Sequence, residues 1–164
     1  MANARTQGAG LGDRGPDGKR SFLLLLHFQV ADPLQNGTRR MYPGGGVNSV
    51  TTLSLDYLMA FKGKIIGASL HGAAATTART ATLNVLKNGS AISGTGWTNP
   101  VLDTTNTGAK RERVLPANFD DFTFVEGDQI GAQVVLTSTW EPDGTDNDLA
   151  ADVWLAIDDF DAGD

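Results

Sequence analysis

Short runs of alternating apolar and polar residues recur along most of the chain, and each run ends at a cluster of turn residues. Clear examples begin at positions 22, 64, 80, 129 and 149, with Gly, Asn and Asp between them. Alternation places every second side chain on the same face of a strand, whereas a helix repeats every three to four residues. Roughly seven to nine short strands and no helix are therefore expected. The pattern predicts an all-β, antiparallel β-sandwich, with a jelly roll as the expected strand order.

Two turn signals divide these runs. Asn88-Gly89 follows the run 80–86, and both residues tolerate the positive φ that a two-residue type I′ turn requires. Glu126-Gly127-Asp128 separates two further alternating runs and is predicted to be the bend between their strands. A hairpin is therefore expected at Asn88-Gly89, with Ala81, Leu83 and Val85 on one face of its first strand. In the strand after the bend, one face is expected to carry Ile130, Ala132, Val134 and Leu136.

The most apolar run, Phe22–Val30, contains leucines on both of its predicted faces. One face carries Phe22, Leu24, Leu26, Phe28 and Val30, and the other carries Leu23, Leu25, His27 and Gln29. Apolar residues at consecutive positions are typical of a strand that is covered on both sides. The beginning of this strand is therefore predicted to be buried on both faces.

The run 50–61 also alternates, and it would place Leu53, Leu55, Tyr57, Met59 and Phe61 on one side of a strand. A helix is the alternative interpretation of this segment. Ser and Thr between β-branched and aromatic residues favour the strand.

The last run, 149–157, alternates most regularly. Asp152 and Trp154 are predicted to point outward, and the inward set is Leu149, Ala151, Val153, Leu155 and Ile157. Exposing a tryptophan ring to water is costly, so Trp154 indicates a contact between subunits. The alternative is that another part of the same sandwich covers this face.

Length and composition are those of one ordinary domain. The chain has 164 residues, 40% of them hydrophobic, and no cysteine. A chain of this size can bury a core without covalent help, and disulfides and thiolate metal sites are excluded. A single β-sandwich domain is expected over residues 21–164, preceded by a flexible arm at residues 1–20.

Charge is distributed unevenly along the sequence. Residues 1–64 contain eight Lys or Arg and four acidic residues, a net +4, whereas residues 65–164 contain five and fifteen, a net −10. Affinity for nucleic acid depends on clustered Lys and Arg that release counterions from phosphates. A domain this acidic argues against nucleic-acid binding.

The arm at residues 1–20 is rich in Gly and has no apolar periodicity. Such a segment buries too little surface to offset its ordering entropy. It also lacks the apolar core of a signal peptide, and no run of the chain is long enough to span a membrane. Export by the ordinary secretory route and membrane binding are therefore not expected. The basic residues of the arm, Arg5, Arg14, Lys19 and Arg20, are candidates for contact with a partner.

Residues able to do chemistry are few and scattered. His27 and His71 lack the spaced partners of a metal motif, so structural or surface roles are expected for both. Ser69 lacks the nucleophile-elbow sequence. The acidic run 141–148 contains oxygen ligands of the kind that calcium binds, but without the spacing of a calcium loop, so a solvated loop is favoured. No enzyme activity, cofactor or metal is expected.

Three segments resemble the small jelly-roll decoration, cement and head-fibre proteins of tailed bacteriophages: "LNVLKNGSAI", "FVEGDQIGAQVVL" and the terminal "DVWLAI". The likeness covers about residues 50–158. It implies a virion structural protein, made in the host cytoplasm, that binds the capsid exterior and stabilises the shell. It also implies a homotrimer whose other partner is the major capsid protein.

The second hypothesis is a carbohydrate- or receptor-binding module of a phage tail or a bacterial lectin-like protein. Sugar sites combine exposed aromatic rings with Asn, Asp and Gly in loops, and Trp97, Asn99 and Trp140 provide such residues. Binding to glycans would distinguish this hypothesis from capsid decoration.

Overall fold

The computed structural model describes residues 22–30, 37–43, 56–72, 76–78, 80–103, 110–117, 121–137, 141–142 and 148–157. For 76–78, 110–114 and 141–142 the backbone alone is described. The predicted arm at residues 1–20, with Arg5, Arg14, Lys19 and Arg20, lies outside these ranges. In the described residues the strands are β1 (Phe22–Val30), β2 (Gly37–Arg40), β3 (Tyr42–Pro43), β4 (Tyr57–Leu58), β5 (Gly63–Gly72), β6 (Thr76–Ala78), β7 (Ala81–Lys87), β8 (Ser90–Ala91), β9 (Val101–Leu102), β10 (Lys110–Val114), β11 (Thr123–Phe124), β12 (Gln129–Leu136), β13 (Glu141–Pro142) and β14 (Leu149–Ile157).

The strands form two antiparallel sheets that enclose one core. The first sheet has the order β10-β5-β14-β1-β3, and β11 pairs with β5. The second sheet has the order β2-β12-β7-β8, with β4 paired to β12 and β9 to β7. A separate pair, β13 and β6, completes the described strands. This arrangement confirms the predicted all-β sandwich, while the jelly-roll order stays a prediction.

The core contains the alternate residues that the sequence pattern placed inward. The predicted faces of β7, β12 and β14 are buried along their whole lengths. Their side chains form one cluster with Leu26, Phe28, Ile65 and Leu70 from the first sheet. Because both sheets contribute to the same cluster, neither sheet can bury its apolar face without the other.

The beginning of β1 differs from the prediction. Phe22, Leu23 and Leu25 are 37%, 76% and 52% exposed, although burial on both faces was expected. Inward-facing Leu26 and Phe28 are buried as predicted. The prediction was wrong because consecutive leucines were taken to require cover on both sides, whereas the outer surface of β1 remains exposed.

The described part of the run 50–61 is extended. Tyr57–Leu58 pairs with β12, which favours the strand over the helix. Met59 is buried and Phe61 packs edge-on against Phe22, with ring centroids 6.3 Å apart. Leu53 and Leu55 lie outside the described residues.

Both predicted turns are present. Asn88 and Gly89 have φ values of 51° and 78°, and Lys87 pairs directly with Ser90 across the two-residue loop. Gly127 has φ 86° in the turn before β12. These positive φ values explain why Asn and Gly occupy the tips.

One irregularity shapes the outer surface of the first sheet. Trp154 pairs with Gly67 and Leu155 with Ile65, so Ile66 is an extra residue between them. A bulge of this kind re-aims side chains locally.

Among the residues that the structure describes, no helix has the length and apolar character needed to cross a membrane.

Candidate functional site

Apolar side chains form a continuous patch on the outer surface of the first sheet. We call Leu23, Leu25, Ile66, Leu115 and Trp154 the apolar stripe. Leu25 on β1 pairs directly with Trp154 on β14, Trp154 pairs with Gly67 beside the bulge on β5, and Leu115 follows β10. The stripe therefore extends across β1, β14 and β5 and reaches the residue that follows β10.

The stripe lines a shallow groove of about 340 Å³, to which Leu24 also contributes. Six described residues line the groove, and none of these six carries a charge. Trp154 points outward, as its place in the alternation predicted, and its ring is partly buried among these neighbours. Apolar groups grouped in this way, and not scattered singly, are typical of an interaction surface.

Next to the stripe, the same surface carries a polar group that we call the imidazole cluster: His27, His71 and Asp152, with Ser69 and Gln29. His27 Nδ1 lies 2.7 Å from Asp152 Oδ1, and His71 Nε2 lies 3.0 Å from Asp152 Oδ2. Gln29 Nε2 donates to His27 Nε2 at 2.9 Å. One carboxylate therefore joins two imidazoles, and side chains of β1, β14 and β5 are held together.

The sequence predicted structural or surface roles for His27 and His71, but it did not indicate that both contact Asp152. Both occupy outward positions, as Asp152 does, but their contact depends on the strand order β5-β14-β1. His27 and Asp152 are 125 residues apart in the sequence. The available signal was the shared outward position of all three residues, and strand pairing was the missing information.

The cluster is neither a nucleophilic triad nor a metal centre as it stands. Ser69 Oγ and Asp152 Oδ2 both approach Nε2 of His71, at 2.8 and 3.0 Å. A triad requires the serine and the carboxylate on different ring nitrogens, and Ser69 is fully buried. Within the described residues, no three His, Asp or Glu side chains are arranged so that they could hold a metal ion.

A second polar group joins the two predicted turns at one end of the sandwich. We call Lys87, Asn88 and Asp128 the turn lock. Asn88 Nδ2 donates to Asp128 Oδ1 at 2.7 Å, and the backbone N–H of Gln129 donates to Asn88 Oδ1 at 2.8 Å. Lys87 Nζ lies 3.2 Å from Asp128 Oδ2.

The pKa of Asp128 is lowered from its ordinary value of 3.8. The largest cause is the hydrogen bond from the backbone N–H of Val125, followed by the one from Asn88, while burial acts in the opposite direction and Lys87 adds a smaller lowering. Hydrogen bonds to the charged form favour that form. Asp128 is therefore a structural carboxylate that has donors on both oxygens.

Two of the residues predicted for a sugar site, Trp97 and Asn99, lie in the described part of the chain, and both form contacts within the fold. Trp97 Nε1 donates to Asn99 Oδ1 at 2.7 Å, and Asn99 Nδ2 donates to Asn84 Oδ1 at 2.8 Å. The Trp97 ring packs on Phe122 with centroids 5.3 Å apart. Trp140 and most of the acidic run 141–148 lie outside the described residues.

No protein-family model matches the chain, and a search of the curated proteins found no match.

Proposed function

We propose that this chain is a virion structural protein that binds the exterior of a bacteriophage capsid and stabilises it. The observation that carries the proposal is the apolar stripe on the outer surface of the first sheet. Its large apolar side chains are grouped around a groove whose lining residues, as far as the structure describes them, are all uncharged. The bacteriophage assignment itself comes from the resemblance of three segments to decoration, cement and head-fibre proteins.

The two outer surfaces of the sandwich differ in a way that supports one-sided attachment. On the second sheet, Arg40, Asn84 and Gln133 occupy neighbouring register positions on β2, β7 and β12. A polar surface can remain in water, whereas an apolar one gains free energy when a partner covers it. Attachment through the first sheet would leave the polar surface facing solvent.

Self-association belongs to the same proposal. We propose that the subunit is a homotrimer, with Trp154 in the contact between copies, and that the major capsid protein is the second partner. Binding only the assembled shell stabilises it by mass action, since the ligand favours the state that it binds. This mechanism needs no catalytic residue and no cofactor.

The test uses undecorated shells assembled from the major capsid protein of the same phage. Wild-type protein should saturate a fixed number of lattice sites and raise the temperature at which the shells break. Trp154→Ala should weaken both effects. Leu58→Ala is the matched control, because Leu58 is 67% exposed but belongs to the second sheet.

Shells that neither bind the protein nor gain stability would contradict the proposal. A glycan array provides the complementary readout: binding there, without binding to shells, would transfer the assignment to the carbohydrate- or receptor-binding alternative. That alternative is less favoured because the fold already uses the polar groups of Trp97 and Asn99.

A further inference from the structure

The tip of the β7–β8 hairpin combines a reactive sequence with a constrained geometry. Asn88 precedes Gly89, and both residues are exposed to solvent. When the backbone N–H of a residue after Asn loses its proton, the nitrogen can attack the side-chain Cγ. Glycine permits this attack most readily, because it has no Cβ to shield its nitrogen.

The chemistry requires only water. The new bond joins the Gly89 nitrogen to Asn88 Cγ, and the bond from Cγ to Nδ2 breaks with loss of ammonia. Water then opens the resulting succinimide at either carbonyl, which leaves aspartate or isoaspartate at position 88. The net change is the hydrolysis of an amide to an acid and ammonia, without an oxidant or a reductant.

The native fold holds both ends of the reacting amide. Nδ2 donates to Asp128 Oδ1 at 2.7 Å, while Oδ1 accepts from the Gln129 backbone at 2.8 Å. The backbone N–H of Asn88 also donates to the Gln129 carbonyl at 2.8 Å. To turn Cγ toward the Gly89 nitrogen, the side chain must give up its two hydrogen bonds and leave the turn conformation.

We propose that Asn88 is a site of spontaneous deamidation and that the folded turn protects it from this reaction. We also propose that the carboxylate of the product disrupts the hydrogen bonds of the turn lock. An aspartate at position 88 has no N–H to donate to Asp128. It places a second negative charge where a 2.7 Å hydrogen bond was, and like charges at such a distance repel. Lys87, whose Nζ lies 3.2 Å from Asp128 Oδ2, would offset the repulsion in part. A molecule that stays unfolded for a long time therefore acquires aspartate or isoaspartate at position 88, and its folded state is then less stable.

The first experiment compares native protein with protein held in urea, both incubated in mildly alkaline buffer. Peptide mass spectrometry measures aspartate and isoaspartate at position 88 over time. Conversion should be slower in the native protein by roughly tenfold or more, because two hydrogen bonds must break first. Equal rates in both states would overturn the protective role of the fold.

The second experiment tests the product directly with Asn88→Asp. This variant should melt at a lower temperature than Ser90→Asp, which adds the same charge to an exposed position of the same hairpin. Adding Asp128→Asn to Asn88→Asp should recover part of the lost melting temperature. The side-chain amide at position 128 can then donate a hydrogen bond to the carboxylate at position 88. If Asn88→Asp is as stable as Ser90→Asp, the product does not break the turn lock and the proposal fails.

Discussion

Gly131 on β12 is the residue on which a partly buried ion pair depends. Arg40 binds both oxygens of Asp56 at 2.7 and 2.8 Å, and the Asp56 side chain is only 3% exposed. The Asp56 carboxylate packs directly on Gly131, so that a Cβ there would collide with its oxygen and carbon atoms. A strand position that otherwise favours a β-branched residue is therefore restricted to glycine.

Gly131→Ala should displace Asp56 and weaken its pair with Arg40. The loss should be at most about 3 kcal/mol, the lower end for a buried pair, because the Asp56 side chain is buried but the Arg40 side chain is 24% exposed. Gly89→Ala is the control: it has open space around it and only a positive φ to maintain, at a cost of roughly 1–2 kcal/mol. Urea denaturation measures the free energy of unfolding of both variants. Equal losses in the two variants would show that Asp56 has room to move.

Asp128 should make the stability of the sandwich sensitive to acid. Its folded pKa lies below the ordinary 3.8, so its contribution is complete above pH 3.8 and is lost as the pH falls through the lower folded value. Asp128→Asn should therefore be less stable than wild type at neutral pH, and the difference should shrink at pH values below 3.8. A difference that stays constant with pH would exclude a contribution from ionisation.

At the scale of elements, alternation was sufficient to identify the strands β5, β7, β12 and β14, and it also identified the buried faces of β7, β12 and β14. It was not sufficient at β1, where leucines on both faces gave no information about which side remains exposed. The imidazole cluster was missed for another reason. It depends on which strands are neighbours, and local patterns do not encode the order β5-β14-β1.

Neighbouring leucines of β1 provide a direct test of its corrected orientation. Leu26→Ala removes a buried side chain and should cost roughly 2–5 kcal/mol. Leu25→Ala removes a side chain that is half exposed. Substitutions away from buried features usually change the free energy of unfolding by no more than about 0.5 kcal/mol. Thermal and urea unfolding of the isolated subunit would reveal a similar cost for both if β1 were covered on both faces.

At the scale of the whole molecule, the sandwich has one polar and one partly apolar outer surface. The net charge of −6 keeps copies apart in general, but the described residues that line the apolar groove carry no charge. Association through this surface would therefore remove the apolar side chains of the stripe from water, which is favourable. The proposed trimer and the proposed capsid attachment both rest on this surface.

Light scattering of the purified protein at micromolar concentration tests that claim most directly. The predicted mass is three times that of the 17.3 kDa chain, and Trp154→Ala should shift it toward a single chain while Leu58→Ala does not. A wild-type mass of 17.3 kDa under the same conditions would contradict the proposed homotrimer.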